Sequence, residues 1–352
     1  MSAVESSIIA RYRPAVARTL KAYLRQQATQ PGPSWQQDTA GRLLSSAAEG
    51  KLLRGSLVCH AYNVCSGQKP SEAVLNTAAA LELAHASLLI HDDVIDRDET
   101  RRHQPALHRQ YRDLFKTSAE AVHLGYGLAI CAGDMALFMA FELLGRVPTP
   151  STASSLSVLM ARELAVTCAG QMQDIYLTAQ PAVPPKREIY AMMRAKTAGY
   201  SVALPLVAGA RLAGSSMAIE QRLQAIGMAA GTLFQIRDDE LGAIGLSKQI
   251  GKPVGADIRE GKKTLLYYYL WRASSPTERR QLTAIFGNAE ASVADIALVQ
   301  QAMRRHRVVQ RLQTDINRLR QSADRHIKQL DLPLTARQEL QQLVDFCASR
   351  QS

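Results

Sequence analysis

The chain has 352 residues, of which 47% are hydrophobic and 21% charged, a composition that excludes a disordered or fibrous protein. Its formal net charge of +11 at pH 7 favours an anionic partner, such as nucleic acid, a membrane surface or a phosphorylated substrate. The five cysteines are scattered and lack CxxC spacing, so neither a disulfide framework nor a zinc site is indicated.

The pattern of apolar residues predicts an all-α fold. Apolar residues recur at helical spacing along almost the whole chain, as in residues 156–164, whereas alternating β-branched runs are nearly absent. Residues 275–278 and 335–338 both have the sequence of a capping box and predict two helix starts. Predicted loops lie at residues 30–34, 147–151 and 181–185. None is composed like a flexible linker, so a single domain over residues 1–352 is expected.

The sequence also carries information on location. The N-terminal stretch has no apolar run long enough for a signal peptide, and the most apolar stretch, residues 127–145, is interrupted by Asp134 and Glu142. We therefore expect a cytoplasmic protein without an integral membrane segment. Much of the positive charge falls on predicted helix surfaces, and no basic patch interleaved with aromatic residues is present, so nucleic acid is not an expected partner.

The first chemical motif ends a predicted apolar helix over residues 81–95. Asp92 and Asp96 are four residues apart and share a helix face, so one hard cation can reach both carboxylates, with Asp93 beside them. Carboxylates this close repel one another unless a metal or another cation compensates them. Oxygen-only ligands suit magnesium, which commonly joins one or two carboxylates to substrate phosphates. The motif predicts a metal–diphosphate site, although an acidic patch at a helix end would contain the same residues.

Basic residues follow this acidic helix. Arg101 and Arg102 supply the forked donors that bind phosphate oxygens. Metal-binding carboxylates followed by paired arginines fit a diphosphate ligand.

The same theme recurs later in the chain. Asp238 and Asp239 end another apolar helix and precede a glycine- and lysine-rich segment suited to a mobile loop that closes over phosphates. The relevant residues of this segment are Gly251, Lys252, Gly255, Gly261, Lys262 and Lys263. Two acidic pairs, each followed by cations, are much harder to attribute to chance than either alone.

In these features the chain resembles the trans-isoprenyl diphosphate synthases, the family of farnesyl, geranylgeranyl and longer polyprenyl diphosphate synthases. The resemblance covers residues 50–265. The family landmarks occur in order as GKLLR at 50–54, AHASLLIHDDVID ending at Asp96, RR from Arg101, AGD from Ala132, GQMQD from Gly170, KT from Lys196, FQIRDD ending at Asp239 and GKPVGADIREGKKT ending at Thr264.

The resemblance implies a helical bundle of the isoprenoid synthase type with a central substrate cavity, and a homodimer. It implies three magnesium ions per active site, bound by Asp92, Asp93, Asp96, Asp238 and Asp239. It implies an allylic diphosphate held by Arg101, Lys196 and Lys252, with Thr197, Gln235 and Lys262 near it. It implies an isopentenyl diphosphate site formed by Lys51, Arg54, His85 and Arg102. The residues expected to carry catalysis are Asp92, Asp96, Arg101, Lys196, Asp238 and Lys252.

The implied reaction is a condensation of isopentenyl diphosphate with an allylic diphosphate. Magnesium and the cationic side chains stabilise the departing diphosphate, the allylic C1–O bond ionises, and the double bond of isopentenyl diphosphate attacks the carbocation. The released diphosphate is the expected base for the final proton. Water must be excluded from the cation, which gives the basic loop over residues 252–263 a lid-like role.

The chain departs from the family pattern at five positions. Leu52 replaces a usual arginine, Gly55 a frequent proline, His103 a usual glycine and Leu246 a frequent aspartate. Gly242 replaces the third aspartate of a second DDxxD, giving a DDxLG form that resembles many archaeal and actinobacterial geranylgeranyl diphosphate synthases. None of these changes removes an expected ligand.

Product length is expected to depend on Ser87 and Ala84, which lie one and two turns before Asp92. Short-product relatives carry a bulky aromatic residue at the first position, so a serine predicts products longer than C15. Leu81 or Leu88 can close the tunnel further on, so geranylgeranyl diphosphate (C20) is favoured and C25 or longer is the alternative. Small residues that allow tight helix packing would explain both positions equally well.

Two other functions remain open from the sequence. A terpene cyclase also ionises an allylic diphosphate with metal and aspartates, but it needs no isopentenyl diphosphate site. A non-catalytic partner subunit is expected to have lost the aspartates, which this chain retains.

Overall fold

A computed structural model describes residues 3–102, 104–244 and 255–349, with side chains from Ile8 onward. Helices account for nearly all of its regular structure, which confirms the all-α prediction. Packing divides the chain into two compact units, which we describe separately. Unit A comprises Glu5–Leu159 and Pro205–Ser216, and unit B comprises Met160–Leu204 and Met217–Ser352 together with Met1–Val4. A single domain over the whole chain stays a prediction.

Unit A is built around two long apolar helices. Its helices are α1 (Ala3–Thr29), α2 (Ser34–Ser46), α3 (Leu53–Ser66), α4 (Glu72–Asp96), α5 (Leu107–Arg112), α6 (Ala121–Gly145), the start of α7 (Pro150–Ala179) and most of α9 (Leu204–Leu212). Short 3₁₀ turns occupy Ala47–Glu49 and Asp113–Phe115. Strands β1 (Thr100–Arg101) and β2 (Gln104–Pro105) form an antiparallel hairpin with Thr100 opposite Pro105.

Helix α4 is the centre of unit A. It packs against α3 and α6, and almost every residue from Val74 to Ala84 is buried. Helices α4 and α6 approach closely at Gly133, where a Cβ would lie 2.7 Å from the present position of the His91 ring. This packing fixes the position of the acidic residues at the end of α4.

Helices α4 and α6 are long and apolar enough to cross a membrane. The most apolar stretch of α4 is 72% buried within the protein and that of α6 is 44% buried. Core helices of soluble proteins have the same length and composition, so the expected absence of a membrane segment stays a prediction.

Unit B contains the rest of α7 and the remaining helices. These are α8 (Lys186–Met193), a π-helix (Arg194–Ala203), α10 (Met217–Ile244), α11 (Ala256–Arg259), α12 (Leu265–Ala273), α13 (Pro276–Ile285), α14 (Val293–Arg305), α15 (Val308–Lys328) and α16 (Leu334–Ser349). Helix α10 is central and contacts the π-helix, α15 and α16.

The contact between α10 and the π-helix depends on two glycines. A Cβ at Gly227 would lie 2.8 Å from the backbone nitrogen of Ala203, and one at Gly231 would lie 2.6 Å from the Cα of Ala198. Real Cβ atoms do not approach backbone this closely, so only glycine allows the two helices to touch. The π-helix is thereby held directly against α10.

One predicted helix start is confirmed and the other is wrong. Helix α13 follows Ser275, whose hydroxyl accepts a hydrogen bond from the backbone N–H of Glu278 at 3.3 Å. Thr335 is not a cap, because α16 already begins at Leu334, one residue earlier. The three predicted loops lie between α1 and α2, α6 and α7, and α7 and α8, although α7 starts at Pro150, inside the second.

Candidate active site

The acidic residues of unit A lie in the last turns of α4. Asp93 is buried, with 4% of its surface exposed, whereas Asp92 and Asp96 are partly exposed. The helix ends because Arg97 adopts a left-handed conformation (φ 58°) and its N–H bonds the carbonyl oxygen of Asp93. The chain then turns into the hairpin.

The hairpin brings Arg101 back to the acidic turn. Its Nε donates to Asp93 Oδ1 at 2.7 Å, and its Nη2 contacts the same oxygen. Nη2 also lies 3.3 Å from Asp98 Oδ2 and 3.7 Å from Asp92 Oδ2. Arg101 therefore lies against the first aspartate group, while its role in holding the allylic diphosphate stays a prediction.

Asp93 is only partly compensated by this arginine. Burial raises the pKa of Asp93 to about 6, and the charges of Asp98 and Asp92 add to the effect, although the bonds from Arg101 oppose it. A carboxyl group with such a pKa binds additional positive charge favourably.

A second group of unit A contains Arg54, His85 and Arg102. Arg54 lies in the first turn of α3 and is 9% exposed. Arg102 has a left-handed backbone (φ 52°), and its Nη1 donates to the carbonyl oxygen of Ser46 at 3.1 Å. It lies so close to Gly50 that a Cβ there would be 2.6 Å from Arg102 Nη1.

The histidine of this group is neutral near pH 7. Burial lowers the pKa of His85 well below its usual value, and the positive charges of Arg54, Arg102 and Arg101 lower it further. A neutral imidazole offers one donor and one acceptor, which suits hydrogen bonding rather than charge pairing.

Lys51 precedes α3 and is exposed. The next residue, Leu52, is 2% exposed and left-handed (φ 51°), an unusual conformation for a bulky residue. Buried Leu52 therefore anchors the turn between Lys51 and α3, at the position where the family usually has arginine.

Ser87 and Ala84 are buried, with 1% and 3% of their surfaces exposed. Leu81, one turn further back, is also buried. Burial is expected both for a tunnel lining and for tight helix packing, so the two interpretations stay open.

In unit B, the π-helix carries Lys196. Its Nζ lies 2.6 Å from Asp174 Oδ2, on α7. The close approach of the two helices depends on Gly170, where a Cβ would lie 2.7 Å from the Cα of Lys196. Long π-helices are rare, and π-helical turns often occur at functional sites. Asp174 was not assigned from the sequence, although it lies in the GQMQD landmark and its charge complements that of Lys196.

A hydrogen-bonded chain links three of the predicted residues of unit B. The Thr197 hydroxyl donates to Gln235 Oε1 at 2.6 Å, and Gln235 Nε2 donates to Asp239 Oδ1 at 2.6 Å. This chain fixes the orientation of the Asp239 carboxylate. Asp238, the next residue back, is partly exposed.

Asp257, which the sequence did not assign, lies at the same acidic group. Burial raises the pKa of Asp239 well above its usual value, and the charges of Asp257, Asp238 and Asp174 add to this effect while Gln235 opposes it. A Cβ at Gly242 would lie 2.6 Å from the Asp257 Cγ, so glycine leaves the space that this carboxylate fills. The sequence signal that could have pointed to Asp257 was the missing third aspartate of the DDxLG motif, which leaves room for a carboxylate from another segment.

The basic segment after α10 is described in part. Lys252 and Leu246 lie outside the described residues, as does His103. Lys262 is described, and its Nζ forms an ion pair with Glu260 at 2.6 Å. Its role toward substrate stays a prediction.

Magnesium fits the chemistry of these donor groups. Each unit presents carboxylate oxygens, and in each a buried carboxylate has a raised pKa, so added positive charge is favoured. Among the described residues, no three His, Cys, Asp or Glu side chains are arranged in advance as a metal cluster. Magnesium does not require one, because it commonly binds one or two carboxylates together with substrate phosphates and water.

Comparisons with known proteins identify the family. A family model described as polyprenyl synthetase matches residues 38–303. The short chain isoprenyl diphosphate synthase of Methanocaldococcus jannaschii is 32% identical over 249 residues, which is 71% of each chain. The geranylgeranyl diphosphate synthase of Saccharolobus solfataricus is 30% identical over 311 residues, covering 86% of this chain and 87% of the relative.

A solved structure extends the match to almost the whole chain. The crystal structure of geranylgeranyl pyrophosphate synthase from Corynebacterium glutamicum, complexed with isoprenyl diphosphate and magnesium, matches with a TM-score of 0.86 and 31% identity. The match covers 98% of this chain and 99% of the other.

Fold and site together define an all-α enzyme with the isoprenoid synthase fold. The chain belongs to the polyprenyl synthetase family, the trans-isoprenyl diphosphate synthases, and is a prenyltransferase.

Proposed function

We propose that the chain condenses isopentenyl diphosphate with an allylic diphosphate and releases geranylgeranyl diphosphate (C20) as its main product. The observation that carries the proposal is the separation of two neighbouring arginines. Arg101 contacts Asp93 and lies near Asp92, whereas Arg102 bonds the carbonyl of Ser46 and lies against Gly50.

This separation supports two diphosphate sites in one enzyme. Arginine is suited to phosphate because its guanidinium donates several hydrogen bonds in one plane. Arg101, beside carboxylates that attract a metal, suits the diphosphate that leaves. Arg102, with Arg54 and neutral His85, suits a second diphosphate that does not react at its C–O bond. Elongation needs both sites, and a cyclase needs only the first.

Roles for the remaining residues follow from their contacts. Asp92, Asp96 and Asp238 would hold three magnesium ions, with Asp93 and Asp239 assisting. When bound, magnesium neutralises the charge that develops on the departing diphosphate.

The cations of unit B complete the assignment. Lys196 donates to the oxygens of the departing diphosphate, and Asp174 holds its ammonium in place. Lys252 is proposed to do the same. The chain from Thr197 through Gln235 keeps Asp239 oriented before any ligand arrives.

A C20 product is supported by the small buried residues of α4. Ser87 and Ala84 are small and buried, and we infer that they line a tunnel which an aromatic side chain at the first position would end. Longer products are the alternative outcome of the assay below.

The assay uses purified protein with isopentenyl diphosphate, magnesium and a C5, C10 or C15 allylic primer, followed by mass analysis of the products. We expect mainly C20 diphosphate from each primer, no product after chelation of magnesium, and no hydrocarbon from an allylic primer alone. Cyclic hydrocarbon formed without isopentenyl diphosphate would instead indicate a cyclase.

The two arginines provide a sharper test. Replacing Arg102 with Gln is expected to raise the KM for isopentenyl diphosphate more than that for the primer, and replacing Arg101 is expected to do the opposite. Arg320, which pairs with Asp345 in unit B, is the matched control and its Gln variant should change neither KM. Equal effects of both substitutions on both substrates contradict the assignment.

We further propose that the enzyme is a cytoplasmic homodimer. Helix α6 is strongly apolar, yet Phe138 is 70% exposed and Ile130 45% exposed. A second copy would cover this surface. Analytical ultracentrifugation should show a dimer for the wild type and a monomer for Phe138→Asp. A monomeric wild type contradicts the proposal.

A further inference from the structure

Glu82 is a buried carboxylate to which the reaction gives no role. It lies on α4, ten residues before Asp92, and only 4% of its surface is exposed. Its Oε1 accepts a hydrogen bond from the backbone N–H of Gly55 at 2.7 Å, and the backbone N–H of Arg54 also donates to it. Both donors belong to the first turn of α3.

These bonds make Glu82 the cap of α3. The first turn of a helix leaves backbone N–H groups without intrahelical partners, and a side chain of the preceding residue commonly satisfies them. The residue before α3 is Leu52, whose side chain has no acceptor. Glu82 supplies the acceptor from another helix, and its negative charge interacts favourably with the positive end of the α3 dipole.

The same carboxylate interacts with two cations. Burial raises the pKa of Glu82, while the charges of Arg54 and Arg102 and the two backbone bonds lower it. The charge of Arg54 also lowers the pKa of Arg102, although burial is the larger cause. The two guanidinium groups therefore repel each other, and the negative charge of Glu82, which attracts both, reduces the cost of that repulsion.

Gly55 is closely packed against its neighbours, Glu82 among them. A Cβ at Gly55 would lie 2.7 Å from Val16 Cγ1, 3.0 Å from the Ala78 carbonyl oxygen and 3.3 Å from the Glu82 Cγ. The start of α3 and the Glu82 side chain are thus in direct contact. Proline, frequent at this position in the family, has no N–H to donate to Glu82.

We propose that Glu82 is a positioning residue for the isopentenyl diphosphate site. It fixes the first turn of α3, from which Arg54 extends, and its charge offsets the repulsion between Arg54 and Arg102 before a ligand binds. It does not touch substrate. This inference rests on the proposed function, because it assigns Arg54 and Arg102 to isopentenyl diphosphate.

The test is the Glu82→Gln variant, which keeps the shape and one acceptor oxygen but removes the charge. We expect the KM for isopentenyl diphosphate to rise about tenfold or more, as for other losses of side-chain positioning. The KM for the allylic primer and kcat should change by less than about threefold, because Glu82 makes no hydrogen bond or ion pair with the described residues assigned to the allylic diphosphate. The matched control is Asp315→Asn, which neutralises another buried carboxylate, paired with Lys186 in unit B.

Stability is measured alongside kinetics. The control variant Asp315→Asn is expected to lower Tm without a selective change in either KM. If Glu82→Gln likewise lowers Tm without a selective rise in the KM for isopentenyl diphosphate, the role of Glu82 is purely structural and the inference is overturned. If Glu82→Gln does not fold, Glu82→Asp keeps the charge on a shorter chain and should give a smaller but still selective rise in KM. An unchanged KM in that variant also overturns the inference. Failure of the wild type to elongate any primer would instead contradict the proposed function.

Discussion

The contact between Gly170 and the π-helix gives a quantitative prediction for Gly170→Ala. The added Cβ would lie 2.7 Å from the Cα of Lys196 and 2.8 Å from the carbonyl carbon of Ala195. Both neighbours are backbone atoms, so no side-chain rotation can relieve the contact. The Lys196 backbone nitrogen is closer still, so either α7 or the π-helix must move by about 1.1 Å to restore an ordinary contact of 3.4 Å.

This displacement has two expected costs. Inserting a methyl group into a well-packed core costs about 1–3 kcal/mol, which corresponds to a fall in Tm of roughly 1–4 °C for a chain of this size. The movement also shifts Lys196 relative to Asp174, whose groups are 2.6 Å apart. Misplacing a catalytic group by about 1 Å can reduce the rate about a hundredfold. We therefore expect kcat to fall by about ten- to a hundredfold.

The assay is steady-state elongation with the C15 primer, combined with thermal unfolding of the same samples. Gly41→Ala is the matched control, because Gly41 is exposed in α2 and a Cβ there meets nothing within 4 Å. The control should keep full activity and gain up to about 1 kcal/mol from better helix propensity. Wild-type kcat and Tm in Gly170→Ala would refute the reasoning that the glycine is needed for the position of Lys196.

Two further predictions concern unit A. Ser87→Phe should shorten the product, because an aromatic ring one turn before Asp92 would block the growing chain; an unchanged product distribution by mass analysis rejects the tunnel assignment. His60 is fully buried, and burial lowers its pKa to about 4 from 6.5 in the unfolded chain. The unfolded state therefore binds the proton first, so this contribution to stability is complete above about pH 6.5 and is lost, by about 3 kcal/mol in total, as the pH falls to about 4. Urea unfolding across this range should show a shallower pH dependence for His60→Leu, and an equally steep dependence contradicts the assignment.

The sequence predicted the features that depend on local pattern. Helical periodicity and the acidic spacing were enough to place Asp92 and Asp96 at the end of a buried helix. The order of charges along the chain placed paired arginines after these aspartates, although it did not predict the contact of Arg101 with Asp93. These predictions required no knowledge of which distant segments meet.

Features that depend on tertiary contacts were missed. Asp174 and Asp257 are single acidic residues whose role appears only when the partner segments come together, at Lys196 and at Gly242. The hairpin at Arg101 has two residues per strand, too short for a period-2 pattern. The false cap at Thr335 arose because a capping-box sequence can also lie inside a first helical turn.

Backbone strain in the described part of the chain is concentrated beside the proposed diphosphate groups. Four non-glycine residues in the described part of the chain have a left-handed backbone conformation. Three of them, Leu52, Arg97 and Arg102, lie beside the proposed diphosphate groups. A left-handed conformation costs roughly 1–3 kcal/mol for such residues and persists only where the surroundings impose it. Burial of the Leu52 side chain imposes the left-handed conformation at that residue. At Arg97 the hydrogen bond from its N–H to the Asp93 carbonyl oxygen imposes it. At Arg102 the strained turn is what directs adjacent arginines to different partners, so this strain is part of the geometry on which two diphosphate sites depend.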